Sequence, residues 1–389
     1  MVTSTRAPIT PPVLRWARET SGYTVNEVAR RMGKSPDDVA GWECGQGQPT
    51  VRQLENLARI LKRPLATFFL PTPPEAGPAL PKDRRRLAQG ATSYTPALRY
   101  EIRVARYRRR VALDLYEVLQ ENVPEFSLSL SVEQAPEQAA EGLRDALGVS
   151  IEEQLSWRDG RRALHKWQRA VEALGVLVFQ TESSRYSVEV AEMRGVALHA
   201  KRLPIILLNG RDALAGKTFT LMHELAHLAT GSEAVCDLES ESDPEIYCNA
   251  VAGRLLVPRA DLEMQIAARG YVGQEAQDGV IGELARDFSV SRETLARRLA
   301  DAHHISKQTY QRKRVQYQEA WQKQKSSREP FPVPREIMCL RDNGPTYCGL
   351  VFDAYLSGSI TPGDAARSLG TSIAQLGDAR DRWLARAQV

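Results

Sequence analysis

The strongest constraint on this chain is a short motif, His223-Glu224-Leu-Ala-His227, inside an apolar segment that ends at Gly231. Apolar residues recur around it at helical spacing, and glycine commonly follows the last turn of a helix. On a helix, His223 and His227 share one face, so both imidazoles can bind a single metal ion. Glu224 lies one position further round, where it can take a proton from water without being a ligand. The motif therefore predicts a metal site on a helix.

A catalytic zinc ion usually has three protein ligands and one open position, so a third ligand is needed. The segment after the motif offers six acidic residues, Glu233, Asp237, Glu239, Glu241, Asp243 and Glu245. Most of them lie in a polar stretch that is typical of a solvated loop. Glu245 instead follows Asp243-Pro244, a typical helix start, and shares a helix face with Asn249. We favour Glu245 as the third ligand over its neighbours, with Asn249 as a hydrogen-bond partner of a ligand imidazole.

Residues 219–227, followed by residues 245–258, resemble the ImmA/IrrE family of bacterial zinc-dependent metallopeptidases. This resemblance implies that the two histidines and Glu245 bind Zn²⁺, with Mn²⁺ or Fe²⁺ as alternatives, and that Glu224 is the catalytic base. Cys248 and Val251 stand where the family usually has Ala and Phe, and both keep a small or apolar side chain. Three upstream segments are similar to the strands that precede the metal helix in this family: 175–180, 194–198 and 203–209.

The first seventy residues carry a different pattern, in which short helices are separated by tight turns. Gly22 ends a first helix, Thr24 and Ser35 start two more, and a fourth runs over residues 49–61. Residues 28–35 and 42–50 resemble the Xre/Cro repressor family, and the resemblance implies a five-helix helix-turn-helix domain.

DNA binding by this domain is predicted to use a small set of basic and polar residues. They are Arg30, Arg31, Lys34, Ser35 and Arg52. Asp37 and Asp38 open the helix that would lie on DNA, and two carboxylates there repel phosphate. The alternative is a helix-turn-helix fold that serves dimerisation or partner binding.

Charge is distributed unevenly along the chain. Residues 1–70 hold ten Lys or Arg against six Asp or Glu, and residues 82–110 hold ten against two, although the whole chain carries only +4. A basic front end on an acidic body indicates an anionic partner. No apolar run approaches the ~18 residues of a membrane span, and neither a signal peptide nor a C-x-x-C pair is present. We therefore expect a cytoplasmic protein with free thiols and no membrane partner.

The predicted fold class is mostly α with a small β-sheet (α+β), with a zincin-like core around the metal helix. Five regions are predicted: a helix-turn-helix domain (1–72), a Pro-rich linker with a basic helix (73–130), a metallopeptidase core (131–265), a second helix-turn-helix-like unit (266–325) and a helical C-terminal region (326–389). A basic stripe of Arg99, Arg103, Arg106 and Arg110 on the linker helix is interpreted as a solvated face, with a contact to nucleic acid or to an acidic protein as the alternative. This helix could pair with a second copy, so a homodimer is expected.

Two functions agree with these features. The first is an endopeptidase that cleaves a repressor or antitoxin and so controls gene expression, a toxin–antitoxin pair or a stress response. The second is a DNA-binding regulator or antitoxin whose metal site is a sensor or a structural pin. Glu224 favours the first, because a structural metal site does not need it. His199 and Tyr247 are candidates for stabilising an oxyanion. No P-loop, dinucleotide-binding glycine pattern or serine nucleophile elbow occurs.

Overall fold

The computed structural model describes residues 5–75, 80, 94–181, 187–231, 235–236, 243–271, 278–327 and 333–387. These residues are mostly helical and include one small sheet, which confirms the predicted α+β class. They divide into two compact units, the first ending at Val104 and the second beginning at Ala105. The five regional boundaries expected from the sequence stay predictions.

Short helices around one apolar core make up most of the first unit. They are α1 (Pro11–Ser21), α2 (Val25–Met32), α3 (Pro36–Glu43), α4 (Val51–Leu61) and a 3-10 helix (Leu65–Phe69). Reciprocal capping boxes start α2, α3 and α4 at Thr24, Ser35 and Thr50, which satisfies backbone donors that a helix start leaves open. The fourth helix was predicted from residue 49, but Thr50 is its cap and the helix begins at Val51.

The boundary between the units falls within α5 (Pro96–Val118). The expected solvated stripe on this helix is wrong for two of its arginines. Arg103 donates to the carbonyl of Lys62 at 3.0 Å, and Arg99 Nε donates to the carbonyl of Tyr94 at 3.2 Å. Burial lowers the pKa of both guanidinium groups. These side chains therefore hold the first unit together, whereas Arg110 is exposed.

The second unit contains a mixed four-stranded sheet in the order β1-β3-β2-β4. Its strands are β1 (Leu177–Gln180), β2 (Gly195–Leu198), β3 (Ile205–Leu208) and β4 (Val235–Cys236). β1 pairs with β3 in parallel, while β2 lies antiparallel to both β3 and β4. Every residue of β1, β2 and β3 is buried, as expected for apolar strands covered on both faces. The three segments that the resemblance identified as strands form β1, β2 and β3.

Five helices complete the core that holds the metal motif. Before β1 come α6 (Pro136–Leu147), α7 (Ile151–Trp157) and α8 (Gly160–Ala173). Between β3 and β4 lies α9 (Leu214–Thr230), and α10 (Asp243–Leu256) follows β4. The helix α9 carries the motif and packs against β2, β3, α8 and α10. All residues from Lys217 to Ala229 are buried, so α9 is a central helix rather than an amphipathic surface helix. Gly231 ends it in the left-handed conformation, as predicted.

The remaining helices follow in sequence. They are α11 (Arg259–Ala268), α12 (Asp278–Asp287), α13 (Arg292–Asp301), α14 (Lys307–Ser327), α15 (Arg335–Asn343), α16 (Pro345–Leu356), α17 (Pro362–Leu369) and α18 (Ile373–Ala387). The consecutive helices α12 and α13 lie in the region predicted to be helix-turn-helix-like, and Ser291 caps α13. Among the described residues, no helix combines the length and the apolar character that crossing a membrane requires.

Candidate metal centre

The two histidines of the motif face each other inside the second unit. His223 and His227 are both completely buried on α9, and their ring centroids lie 4.7 Å apart. Their Nε2 atoms approach to 3.0 Å, as residues one helical turn apart can do. The ring of Phe219, one turn earlier, stacks on His223 at 6.4 Å between centroids. Helical spacing and packing thus aim both imidazoles at one point.

Glu245 reaches the same point from α10. Its carboxylate oxygens lie 3.2 Å from His223 Nε2 and 3.3 Å from His227 Nε2, and the residue is 5% exposed. The two neighbours that depart from the family pattern, Cys248 and Val251, are fully buried on the same helix. Small or apolar side chains at these positions allow α10 to pack closely on α9.

The separations among these three atoms fit a tetrahedral metal ion. Zinc bonds to His nitrogen and carboxylate oxygen are about 2.0–2.2 Å long, which places neighbouring ligands roughly 3.3–3.5 Å apart. The observed 3.0, 3.2 and 3.3 Å lie close to these values. His223, His227 and Glu245 are the one group of at least three such side chains within the described residues whose ligand atoms lie within 4.8 Å of one another. A donor set of two imidazoles and one carboxylate, with a fourth position left open, is that of hydrolytic zinc sites.

The electrostatic state of the site also suits a cation. Burial lowers the pKa of His223, so its imidazole is neutral and can offer a nitrogen lone pair. Burial alone would raise the pKa of Glu245, but the close contacts with the two histidines outweigh it and bring the value to about 2. The carboxylate is therefore ionised at any physiological pH. Burial raises the pKa of the Cys248 thiol, which makes this side chain a poor additional ligand.

Glu224 is completely buried next to the ligands but does not belong to the ligand group. The start of β2 lies directly against it. A Cβ atom on Gly195 would be 2.7 Å from Glu224 Oε1 and would clash with Thr220 Cγ2. β2 can therefore approach α9 this closely because residue 195 has no side chain. Glu224 therefore lies directly against β2, and it is the neighbour of the ligand His223 in the sequence.

Asn249 is 3% exposed, one turn after Glu245 on α10. Burial lowers the pKa of His223, and the Asn249 side chain opposes this effect by hydrogen bonding. Its place agrees with the expected partner of a ligand imidazole.

Other sequence candidates are placed differently or lie outside the description. The alternative third ligands Glu233, Asp237, Glu239 and Glu241 lie outside the described residues. Tyr247 donates its hydroxyl hydrogen bond to the carbonyl of Ser131 at 2.9 Å. His199 follows the far end of β2, about 13 Å along the strand from Gly195 at ~3.3 Å per residue. Neither residue is placed as an oxyanion donor by these contacts.

The expected DNA-contacting residues lie in the first unit. Arg30, Arg31, Lys34, Ser35 and Arg52 are all exposed. The acidic start of α3 has a structural explanation. Asp38 accepts hydrogen bonds from the backbone and hydroxyl of Ser35 at 3.2 and 2.9 Å, and Ser35 Oγ accepts one from the Asp38 backbone at 3.1 Å. Ser35 is thus engaged in starting the helix, and these contacts lower the pKa of Asp38.

Family models match both the helix-turn-helix segment and the segment that contains the candidate metal centre. Residues 171–300 match the IrrE N-terminal-like domain, which is a peptidase family, and residues 13–67 match a helix-turn-helix domain. The chain thus combines a segment similar to helix-turn-helix domains with a later segment similar to the IrrE N-terminal-like domain. The peptidase match covers β1 to α13 and includes every residue of the candidate metal centre. Comparisons with curated proteins and with solved structures gave no match.

Gly195 is a close neighbour of Glu224 that the sequence analysis did not single out. The metal motif draws attention to side chains, and a glycine offers none. A glycine at the start of an otherwise apolar strand is nevertheless a signal that another element approaches closely. The glycine therefore indicates where a close approach occurs, but it does not indicate which element approaches, because β2 and α9 meet only in the folded chain.

Proposed function

We propose that the chain is a zinc-dependent endopeptidase that cleaves a regulatory protein, such as a repressor or antitoxin. One observation carries this proposal: the ligand atoms of His223, His227 and Glu245 converge, while Glu224 is buried beside them and left out of the ligand group. A site that only pinned the fold would be complete without Glu224. The match to a peptidase family supports the same function.

In this mechanism each side chain has one task. His223, His227 and Glu245 would hold the ion, and Asn249 would orient the His223 ring. Bound zinc supplies Lewis acidity toward the scissile carbonyl. Glu224 accepts a proton from the attacking water and later donates it to the leaving amine. Gly195 and Thr220 keep the Glu224 carboxylate in place, and the buried surroundings strengthen its interactions with charge.

The helix-turn-helix domain would bring the peptidase to DNA or to its target. Arg30, Arg31, Lys34 and Arg52 are exposed and basic, which suits contact with phosphate. In this arrangement cleavage of a repressor or antitoxin controls gene expression, a toxin–antitoxin pair or a stress response.

Metal analysis combined with a cleavage assay tests the assignment of roles. We expect about one zinc per chain in the parent and in Glu224→Gln, and loss of zinc in His223→Ala and Glu245→Ala. Glu224→Gln should still lose cleavage of the target, because removing a general base typically costs about 10²–10⁴ in rate. Glu141→Gln, an exposed change on α6, is the matched control and should behave like the parent.

Two results would change the proposal. Full zinc content in Glu245→Ala would give the third-ligand role to a neighbour such as Glu241. If cells carrying Glu224→Gln kept every regulatory phenotype of the parent, the peptidase assignment would fail. The chain would then be a DNA-binding regulator or antitoxin that uses its metal as a sensor or structural pin.

A further inference from the structure

A cavity of about 80 Å³ opens beside α9, close to the candidate metal centre. Gly216 and Phe219 of α9 form one wall, Arg194 lies at the start of β2, and residues of α13 and α14 close the other side. We propose that this cavity binds an acidic side chain of the protein substrate, two or three residues from the cleaved bond. The proposal rests on the proposed peptidase function and specifies which substrates it accepts.

Charge in the cavity favours a carboxylate. Three arginines line it, Arg194, Arg297 and Arg314, against a single acidic residue, Glu293. The wall also includes Ser291 and Thr294, which form the start of α13, and the N-terminal end of a helix adds positive potential.

Two of the arginines already lie near acidic side chains. Arg314 lies 3.5 Å from Glu293, and Arg194 lies 3.8 Å from Asp212. Arg297 is half-buried and has no ion pair with any residue in the described part of the chain. An incoming carboxylate could therefore pair with Arg297 without displacing an acidic partner from it.

The position of the cavity relates it to the cleavage site. Phe219 lines the cavity and stacks on the ligand His223, while Gly216 lies seven residues before that histidine. At ~1.5 Å per helical residue, these two residues are about 6 and 10 Å from His223 along the axis. An extended peptide advances ~3.3 Å per residue, so for a substrate that runs along α9 the cavity is two to three residues from the bond at the metal centre. Arg194 directly precedes Gly195, which lies against Glu224.

The volume of the cavity fits a small anionic group such as a side-chain carboxylate. One water needs ~10–15 Å³ of such space, so the cavity has room for a few heavy atoms. This suits the carboxylate of Glu or Asp. The substrate class is therefore a polypeptide with an acidic residue near the scissile bond.

Binding of short peptides to the full-length, zinc-loaded Glu224→Gln chain tests the proposal without any cleavage. The probes are fluorescein-labelled, capped alanine hexapeptides that carry one Glu, moved position by position, or one Gln at the same place. Fluorescence anisotropy at low salt should show about tenfold tighter binding for the best Glu peptide than for its Gln partner. Adding Arg297→Gln should remove most of this preference, while Arg297→Lys should retain part of it.

Arg312→Gln is the matched control, since Arg312 is exposed on α14 and does not line the cavity. It removes the same charge and should leave the Glu preference intact. Equal affinity for the Glu and Gln peptides at every position would overturn the proposal, even if inorganic phosphate bound to the chain. A preference that survived Arg297→Gln and Arg314→Gln together would also overturn it.

These outcomes are separable from the peptidase proposal. If the parent cleaves a target but Glu224→Gln binds both peptides equally, the cavity proposal fails and the peptidase stands. If the Glu preference appears but the parent cleaves no protein, the cavity is an acidic-peptide site and the peptidase fails.

Discussion

β2 lies so close to Glu224 that a side chain at position 195 has no room. Adding one methyl group at this position therefore tests whether the position of Glu224 matters. In Gly195→Ala the new Cβ would meet Thr220 and the Glu224 carboxylate, so β2 or Glu224 must move. Since a shift of about 1 Å near the reacting atoms can cost ~10² in rate, we expect target cleavage to fall by about that factor. Zinc content should not change, because Glu224 is not in the ligand group.

The control for this prediction is Gly142→Ala, since a Cβ there meets nothing within 4 Å. It should cleave at the parental rate. Parental activity in Gly195→Ala would mean that Glu224 does not need its present position, and would count against its role as the base.

Residues that act through local spacing were predictable from the sequence, and residues that act through tertiary packing were not. His223 and His227 are one helical turn apart, and Gly231 marks the helix end, so both features follow from neighbours in the chain. Gly195 and Arg194 come close to α9 only through the sheet, and no spacing rule connects them to it. The prediction of a solvated face on α5 was wrong for the same reason, because Arg103 contacts the carbonyl of Lys62, which is 41 positions away in the sequence.

At the scale of elements, Glu172 links α8 to the start of α16. It is buried, with one carboxylate oxygen accepting from the Thr346 backbone at 2.7 Å and the other from Gln168 Nε2 at 3.1 Å. Burial raises its pKa from 4.5 to about 7, and these hydrogen bonds only partly offset that rise. Between pH 4.5 and 7 the unfolded chain releases this proton first, so the folded state loses stability as pH rises and then levels off.

Glu172→Gln removes this titration while preserving the size of the side chain. We expect the free energy of unfolding of the variant, relative to the parent, to increase by about 3 kcal/mol between pH 4.5 and pH 8. Urea unfolding of both chains across this range measures the difference, and the metal centre affects both chains alike. The exposed Glu141→Gln should show no such trend. A difference that stays constant with pH would show that Glu172 does not titrate in this window.

At the scale of the whole molecule, charge separates the chain into a basic front and an acidic remainder while the total is only +4. Capping by Ser35 explains Asp38 without invoking a protein partner, which removes part of the objection to DNA binding. The homodimer expected from the sequence stays a prediction.

Binding to DNA phosphates weakens as salt rises, so the salt dependence of binding tests whether the first unit contacts DNA. If the first unit binds DNA, the affinity of the full-length chain for its own promoter region should fall steeply with salt, with a log–log slope of about −0.9 per phosphate contacted. Replacing Lys34 and Arg52 by Gln should flatten that slope by roughly one to two units, because both are exposed and each can neutralise one phosphate. Arg59→Gln, an exposed change two turns further along α4, should flatten it much less. If no binding occurs even at low salt, the domain contacts protein rather than DNA, and the peptidase must find its substrate through that contact.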